Sequence, residues 1–448
     1  MSTGTFTGAS TLDDDALTLA LGPALTPRGI VAAPTFFRGF ATHPQVLARG
    51  LLVLADITAT RYFRHTPTSL RDPVLTAHGD RLRAECFSAC NGVHARLDLL
   101  ADGFDGGALA HGTTNVDIGP AMRSALGSVH RHALLHLAVG IDGMTVSDPH
   151  RTDTERPVAM PDRWVRALGN VAEMHRELHC AFTVDAAGTR RFLATVPPAT
   201  GAERSGWLTP STSGVRLAAR PTRGAVHIDG LHRLTAAKRL LPHVQGMTVY
   251  GSDGSEPGPL AVEFALPSAR LVLGLTEQTW RGHSGEGALL QALTSPTVRD
   301  DAETISALLA FEPSVDIDRL ARETTLDRTA VHGALAVLAS SGRIGWDLHE
   351  STYFHRELPD DPDRVDTDNP RLVGARGLVE AGAITATGPD TWSVRSRGSG
   401  GTTEHRVTVG HEAAETGRCT CTWYLRHVDR RGPCRHILAV RLHRKDIA

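Results

Sequence analysis

The sequence predicts an α+β multidomain protein, with an N-terminal mixed α/β region, a winged-helix-like unit and a C-terminal ββα finger. Three observations predict it. Short alternating strands and amphipathic helices follow one another up to about residue 298 without a βαβ rhythm. Three helical patterns and a hairpin then fall between residues 300 and 358, the winged-helix order. Near the C-terminus, Cys419-Thr420-Cys421 is followed twelve residues later by Cys434-Arg435-His436, in a strand-then-helix context.

The chain of 448 residues is long enough for several buried cores. Apolar residues make up 41% and charged residues 21%, the balance of an ordinary globular protein. A net charge of −2 supplies no global field toward nucleic acid or membrane. Of six cysteines, Cys86, Cys90 and Cys180 lie far from the C-terminal three, too scattered for a disulfide framework. Residues 2–15 carry acidic groups and no basic leader segment, and no apolar run reaches the roughly 18 residues of a membrane span. These features predict a soluble protein of the reducing cytoplasm with no membrane partner.

Taken in order, residues 1–26 read as a poorly ordered tail. A domain over 27–200 follows. Residues 51–57 form an apolar helix or strand. Segments 81–90 and 92–100 alternate around Asn91-Gly92, a strong hairpin signal. Pro120 opens a short helix to 129, since a proline fits the first helical turn. Strands at 134–139 and 144–146 flank Asp142-Gly143. A long amphipathic helix over 163–179 enters through Pro161-Asp162. Residues 201–298 are strand-rich, with strands at 215–219, 225–228, 247–250, 260–266 and 271–275 and helices at 233–241 and 287–293.

The winged-helix-like unit, 300–358, has helices at 302–311, 317–324 and 328–341. Asp327 caps the third and Gly342 ends it. A hairpin of 343–348 and 353–358 turns at Glu350-Ser351. A Pro/Asp-rich linker covers 359–370. Residues 371–448 form the finger, with a helix at 372–379, strands at 392–397 and 406–409, and a helix at 434–442.

Two residues apart on a strand, Cys419 and Cys421 face the same way. Pro433 presets a helix start, where Cys434 and His436 converge and free backbone N–H groups favour thiolates. Three thiols and one imidazole complete a tetrahedral shell, which predicts one structural Zn²⁺ with no open position for catalysis. The Cys-x-Cys…Cys-x-His spacing resembles the SWIM zinc finger. Gly112-Thr113-Thr114-Asn115-Val116-Asp117, Met160-Pro161-Asp162-Arg163-Trp164 and Trp280-Arg281-Gly282-His283-Ser284-Gly285-Glu286-Gly287 look like segments of a bacterial family of SWIM-finger proteins. Members of that family are usually encoded beside a MoxR-type AAA+ ATPase and a von Willebrand factor A protein. The resemblance therefore implies protein partners of those two kinds.

Charge divides the C-terminal half. From 395 to 448 there are eleven Lys/Arg against five acidic residues, a difference of +6, which makes DNA or RNA a candidate ligand of the finger. Arg418, Arg430, Arg431, Arg435 and Arg441 are the candidate contacts with nucleic acid or a protein partner. From 301 to 358 ten acidic residues face five Arg, a difference of −5, so this unit should repel DNA and bind protein or pack on its neighbours. Gly282–Gly287 lacks the Lys of a phosphate loop and the fifth-position Gly of a nucleophile elbow, so it reads as a tight turn before a helix. His175, His179 and Cys180 share the predicted helix without completing a metal set. No catalytic constellation is legible, and the chain is expected to be a non-enzymatic adaptor, with a nucleic-acid-binding regulator as the alternative.

Overall fold

The computed structural model describes the chain except at residues 1–10, 14, 15, 19–23, 27, 28, 32–34, 64–72, 159, 202, 253–255, 291, 292, 294–297, 357, 359–368, 399, 400, 411–416, 429 and 446–448. Most of the expected linker and much of the expected tail lie outside the described residues. Within the tail, Thr11–Asp13 and Ala16–Thr18 form a hairpin whose second strand pairs with Met160–Pro161.

An eight-stranded antiparallel sheet organises the N-terminal half. Its order is His111–Asn115, Val74–His78, Arg81–Phe87, Val93–Leu100, Ala269–Leu275, Leu260–Leu266, Gly246–Gly251 and His179–Asp185. The hairpin between Arg81–Phe87 and Val93–Leu100 forms, but through a loop over residues 88–92 and not a two-residue turn: Phe87 lies opposite His94, and of the pair Asn91-Gly92 only Asn91, at φ +59°, is left-handed. Strands from both sides of residue 200 meet at the centre, where Leu97 lies opposite Leu271. A five-stranded sheet, ordered Thr152–Glu155, Gly143–Ser147, His136–Gly140, Thr35–Ala41 and Phe104–Leu109, continues the core.

The two faces of the large sheet differ because strand residues alternate sides. One face carries Leu82, Ala84, Leu97, Leu99, Leu271 and Leu273 and packs on the helix Pro44–Ala59. There Gly50 leaves room for Leu97, whose Cδ2 would lie 2.7 Å from a β-carbon. The other face carries Arg81, Arg83, Glu85, His94, Arg96 and Asp98, and it is buried too. The helix Asp162–Arg176 and the hairpin Ile344–Asp347/Thr352–His355 cover it.

Buried charge at this junction is paired, as it must be. Asp347 Oδ2 accepts from Arg83 at 2.6 Å, and its Oδ1 lies 3.1 Å from Arg96. Arg356 reaches Glu85 at 2.8 Å. The Arg83 guanidinium sits 3.8 Å over the Phe354 ring. Burial lowers its pKa to about 10. Ahead of the hairpin stand the helices Val298–Ser306, Ile317–Thr324 and Arg328–Ser340, the last two capped by Asp316 and Asp327.

The C-terminal unit opens with the helix Pro370–Glu380, capped by Asn369. A four-stranded sheet follows, ordered Ile384–Gly388, Thr391–Gly398, Gly401–Thr408 and Arg418–Cys419. The helices Thr422–His427 and Arg435–Lys445 complete it, and the latter packs on Pro370–Glu380. The unit thus adds the strand Ile384–Gly388 and the helix Thr422–His427 to the elements outlined by the sequence. Its buried residues are continuous with those of the 298–344 helices, from Leu289 to Val440.

The predicted helix over 163–179 ends at Arg176, and His179 and Cys180 begin a strand. His175 therefore does not share a helical face with either. No helix among the described residues is long and apolar enough to cross a membrane.

Candidate metal centre

Cys419, Cys421, Cys434 and His436 converge. Their ligand atoms all lie within 4.8 Å of one another. All four residues are buried. A tetrahedral ion with metal–sulfur bonds of about 2.3 Å holds its ligand atoms about 3.5–3.8 Å apart. Cys419 Sγ and His436 Nδ1 are 3.7 Å apart, which fits that shell. The soft donors fit zinc.

Local structure explains the convergence. Cys419 ends a strand on its inward face, opposite Val407. Cys421 is the N-cap of Thr422–His427, and its Sγ accepts from Tyr424 N at 3.3 Å. Cys419 Sγ accepts from Cys421 N at 3.4 Å. Gly432, at φ +72°, turns the chain so that Cys434 and His436 meet them. Hydrogen bonds among the thiols hold Cys421 well below the usual thiol range and push Cys419 well above it. One thiolate is thus favoured before the others, and a metal ion must displace the remaining protons.

His436 is oriented from behind. Its Nδ1 faces the sulfurs and its Nε2 lies 3.2 Å from Ser396 Oγ on the buried face of Thr391–Gly398. The His405 ring stacks beside it, centroids 4.4 Å apart. Neither Ser396 nor His405 was apparent from ligand spacing. Their signal was the alternation Arg395-Ser396-Arg397, which puts one small hydroxyl inward between two arginines.

The predicted contact arginines scatter. Arg418 is exposed on the outer sheet face. Arg435 is half-buried, with Nε 3.4 Å from His436 Nε2. Arg441 lies on the final helix, half-buried. Arg430 reaches Glu256 at 3.2 Å, both exposed. Arg431 is turned inward, donating to Gly285 O at 2.8 Å, with Nε 3.6 Å from Glu286.

The Gly282–Gly287 segment is thus a seat for the metal-binding knuckle. Arg281 clamps Glu286 through two hydrogen bonds of 2.9 and 2.7 Å. Asn91 accepts from His283 N and, through Oδ1, from Ser284 N, each at 2.7 Å. A β-carbon on Gly432 would lie 2.2 Å from Gly287 O, so the two backbones touch. Arg371, over the Trp423 ring at 4.7 Å, donates to Arg431 O and Pro433 O. Gly112–Asn115 is an edge strand of the large sheet, with Asn115 bonded to Val158 O.

The SWIM zinc finger family matches residues 405–445, which contain all four ligands. No curated protein matches the chain. Among solved structures, the chain is similar to the proliferating cellular nuclear antigen of Entamoeba histolytica, at 13% identity and a TM-score of 0.37. That match covers 54% of this chain and 99% of the other. A PCNA2–PCNA3 complex from Sulfolobus tokodaii matches at 10% identity and a TM-score of 0.38, covering 53% of this chain and 98% of the other. Likenesses at these TM-scores carry no inference about this chain. The family match and the Cys/Cys/Cys/His cluster together support a bound zinc ion.

Proposed function

We propose that the chain is a non-enzymatic, zinc-binding adaptor or recognition protein of the bacterial cytoplasm, its finger held by one structural Zn²⁺. The closed donor set carries this reading. Four buried ligands satisfy the ion and leave no position for substrate or water. Three Cys and one His would hold the ion, which supplies cross-linking and not chemistry. The three helices and hairpin of 298–355 support a winged-helix-like unit serving as internal scaffold. A MoxR-type AAA+ ATPase and a von Willebrand factor A protein are the partners that the sequence resemblance adds.

Two measurements test this. Wild-type protein should carry one zinc per chain by elemental analysis. Cys419→Ala or Cys434→Ala should lose it and unfold from about residue 404 onward while 27–298 stays folded; retention of one zinc per chain refutes the site. Pull-down from the native host should recover the ATPase, and its absence removes that partner. The alternative, a nucleic-acid-binding regulator, draws on the excess of basic residues from 395 to 448.

A further inference from the structure

The finger sheet has an inner and an outer face. Trp392, Val394, Ser396, Val407 and Cys419 point inward toward the core and the metal ligands. The alternate residues point outward. They include Arg395 and Arg397 on one strand, Arg406 on the next and Arg418 on the third. Arg406 lies opposite Ser393, one step from Arg395, and Arg418 lies opposite Thr408, one step from Arg406. The four arginines therefore form one diagonal stripe across three strands. All four are exposed. Among the described residues none of them has an acidic partner. Among the described residues the face has one opposing charge, Glu404 opposite Arg395.

We infer that this outer face binds the phosphate backbone of double-stranded nucleic acid without reading its sequence. The inference rests on the zinc-finger reading and names its client surface. Four unpaired guanidiniums against one carboxylate leave +3 on one small face, complementary to a polyanion. Between them stand hydroxyls, Ser393, Thr402 and Thr408, side chains that contact phosphate oxygens. Among the described residues the face carries no aromatic or large apolar side chain, so it lacks the anchor on which protein interfaces depend. It also offers no Asn or Gln, and a flat sheet face does not enter a groove to reach base edges. Arg430 and Arg431 do not belong to it, since they face Glu256 and the Gly285–Glu286 seat. Arg418 and Cys419 are consecutive, so the strand that supplies a metal ligand inward supplies an arginine outward. Zinc and polyanion binding are therefore linked.

Fluorescence anisotropy of a labelled random-sequence 20-base-pair duplex with the full zinc-loaded chain tests this. Affinity should fall with salt with a log–log slope of about −3.6 for four phosphates. The R395A/R406A/R418A variant should bind at least about tenfold more weakly in 50 mM salt, its slope shallower by about three. R430A, which removes an exposed arginine facing Glu256 and not this face, should bind like wild type. Glu404→Lys, a gain of charge on the same face, should tighten binding and steepen the slope by about one. The inference is overturned if the zinc-loaded chain does not bind the duplex in 50 mM salt or if E404K leaves affinity unchanged. It is also overturned if a polyglutamate peptide competes as well as the duplex, which would assign the face to an acidic protein. Zinc content, measured on each variant, separates the two readings. A wild-type chain without zinc sinks the finger reading, whereas a zinc-loaded chain without duplex affinity sinks only the face.

Discussion

Ser396 shows how much of a metal site lies outside its ligands. Zinc needs the lone pair of His436 Nδ1, which requires the proton on Nε2, and Ser396 Oγ stands 3.2 Å away to receive it. Ser396→Ala should leave the finger folded in excess zinc but weaken zinc affinity about 10–100-fold, read by competition with a chromogenic chelator. Unchanged affinity would show that packing against His405 alone orients the ring. The four ligands were legible in the sequence because their chemistry is local: two short pairs, each set by one strand or one helix start. Ser396 was not, because its relation to His436 spans forty residues and exists only once the sheet and final helix have packed. The same holds for Arg431. Charge and position made it a candidate contact for an outside ligand, yet nothing in the local sequence says that Gly285 waits for it.

At the scale of elements, the junction between the hairpin Ile344–Asp347/Thr352–His355 and the sheet is the most demanding contact. Asp347 is fully buried between Arg83 and Arg96. Asp347→Ala leaves two buried guanidiniums sharing Asp98 alone and should cost about 3–5 kcal/mol in urea unfolding. A loss below about 1 kcal/mol would mean that Asp98, 3.3 Å from Arg83, already suffices. Local pattern revealed the Asp327-capped helix and that the chain reverses near Asn91, though not the length of that loop, because caps and turns are written in adjacent residues. It did not reveal the sheet order. Arg81, Arg83 and Glu85 alternate with apolar residues as on a strand with one wet face, and only the distant helix Asp162–Arg176 and hairpin make that face dry. The acidity of the unit that carries the hairpin was countable in advance, ten acidic residues against five arginines from 301 to 358. That Asp347 and Glu350 would meet Arg81, Arg83 and Arg96 was not.

At the scale of the whole molecule, three buried histidines from three elements meet behind that face. The His94 and His175 rings lie 5.7 Å apart, and Phe87 touches both His94 and His283. Burial lowers the pKa of all three, most legibly for His283, to about 3, despite Glu85 beside His94. The unfolded chain therefore takes up protons that the fold refuses, and their contribution to stability is complete above pH 6.5 and lost below it. Between pH 6.5 and 5.5 unfolding free energy should fall, by about 1 kcal/mol for His283, with His94 and His175 adding to the fall. His175→Gln should flatten that slope, and a flat wild-type profile over the interval would contradict it. The paired carboxylates, such as Glu85, have lowered pKa values and add their losses only at more acid pH. The charged face has one more consequence, in the order of synthesis. The helix Pro44–Ala59 emerges from the ribosome before the strands whose apolar face it covers. The hairpin that covers the opposite face is made some seventy residues after the last strand, Ala269–Leu275. A greasy surface left open for that interval would invite nascent chains to stick together, whereas one lined by arginine and aspartate is content in water until its lid arrives. The ionic residues of this face thus keep the half-made chain soluble.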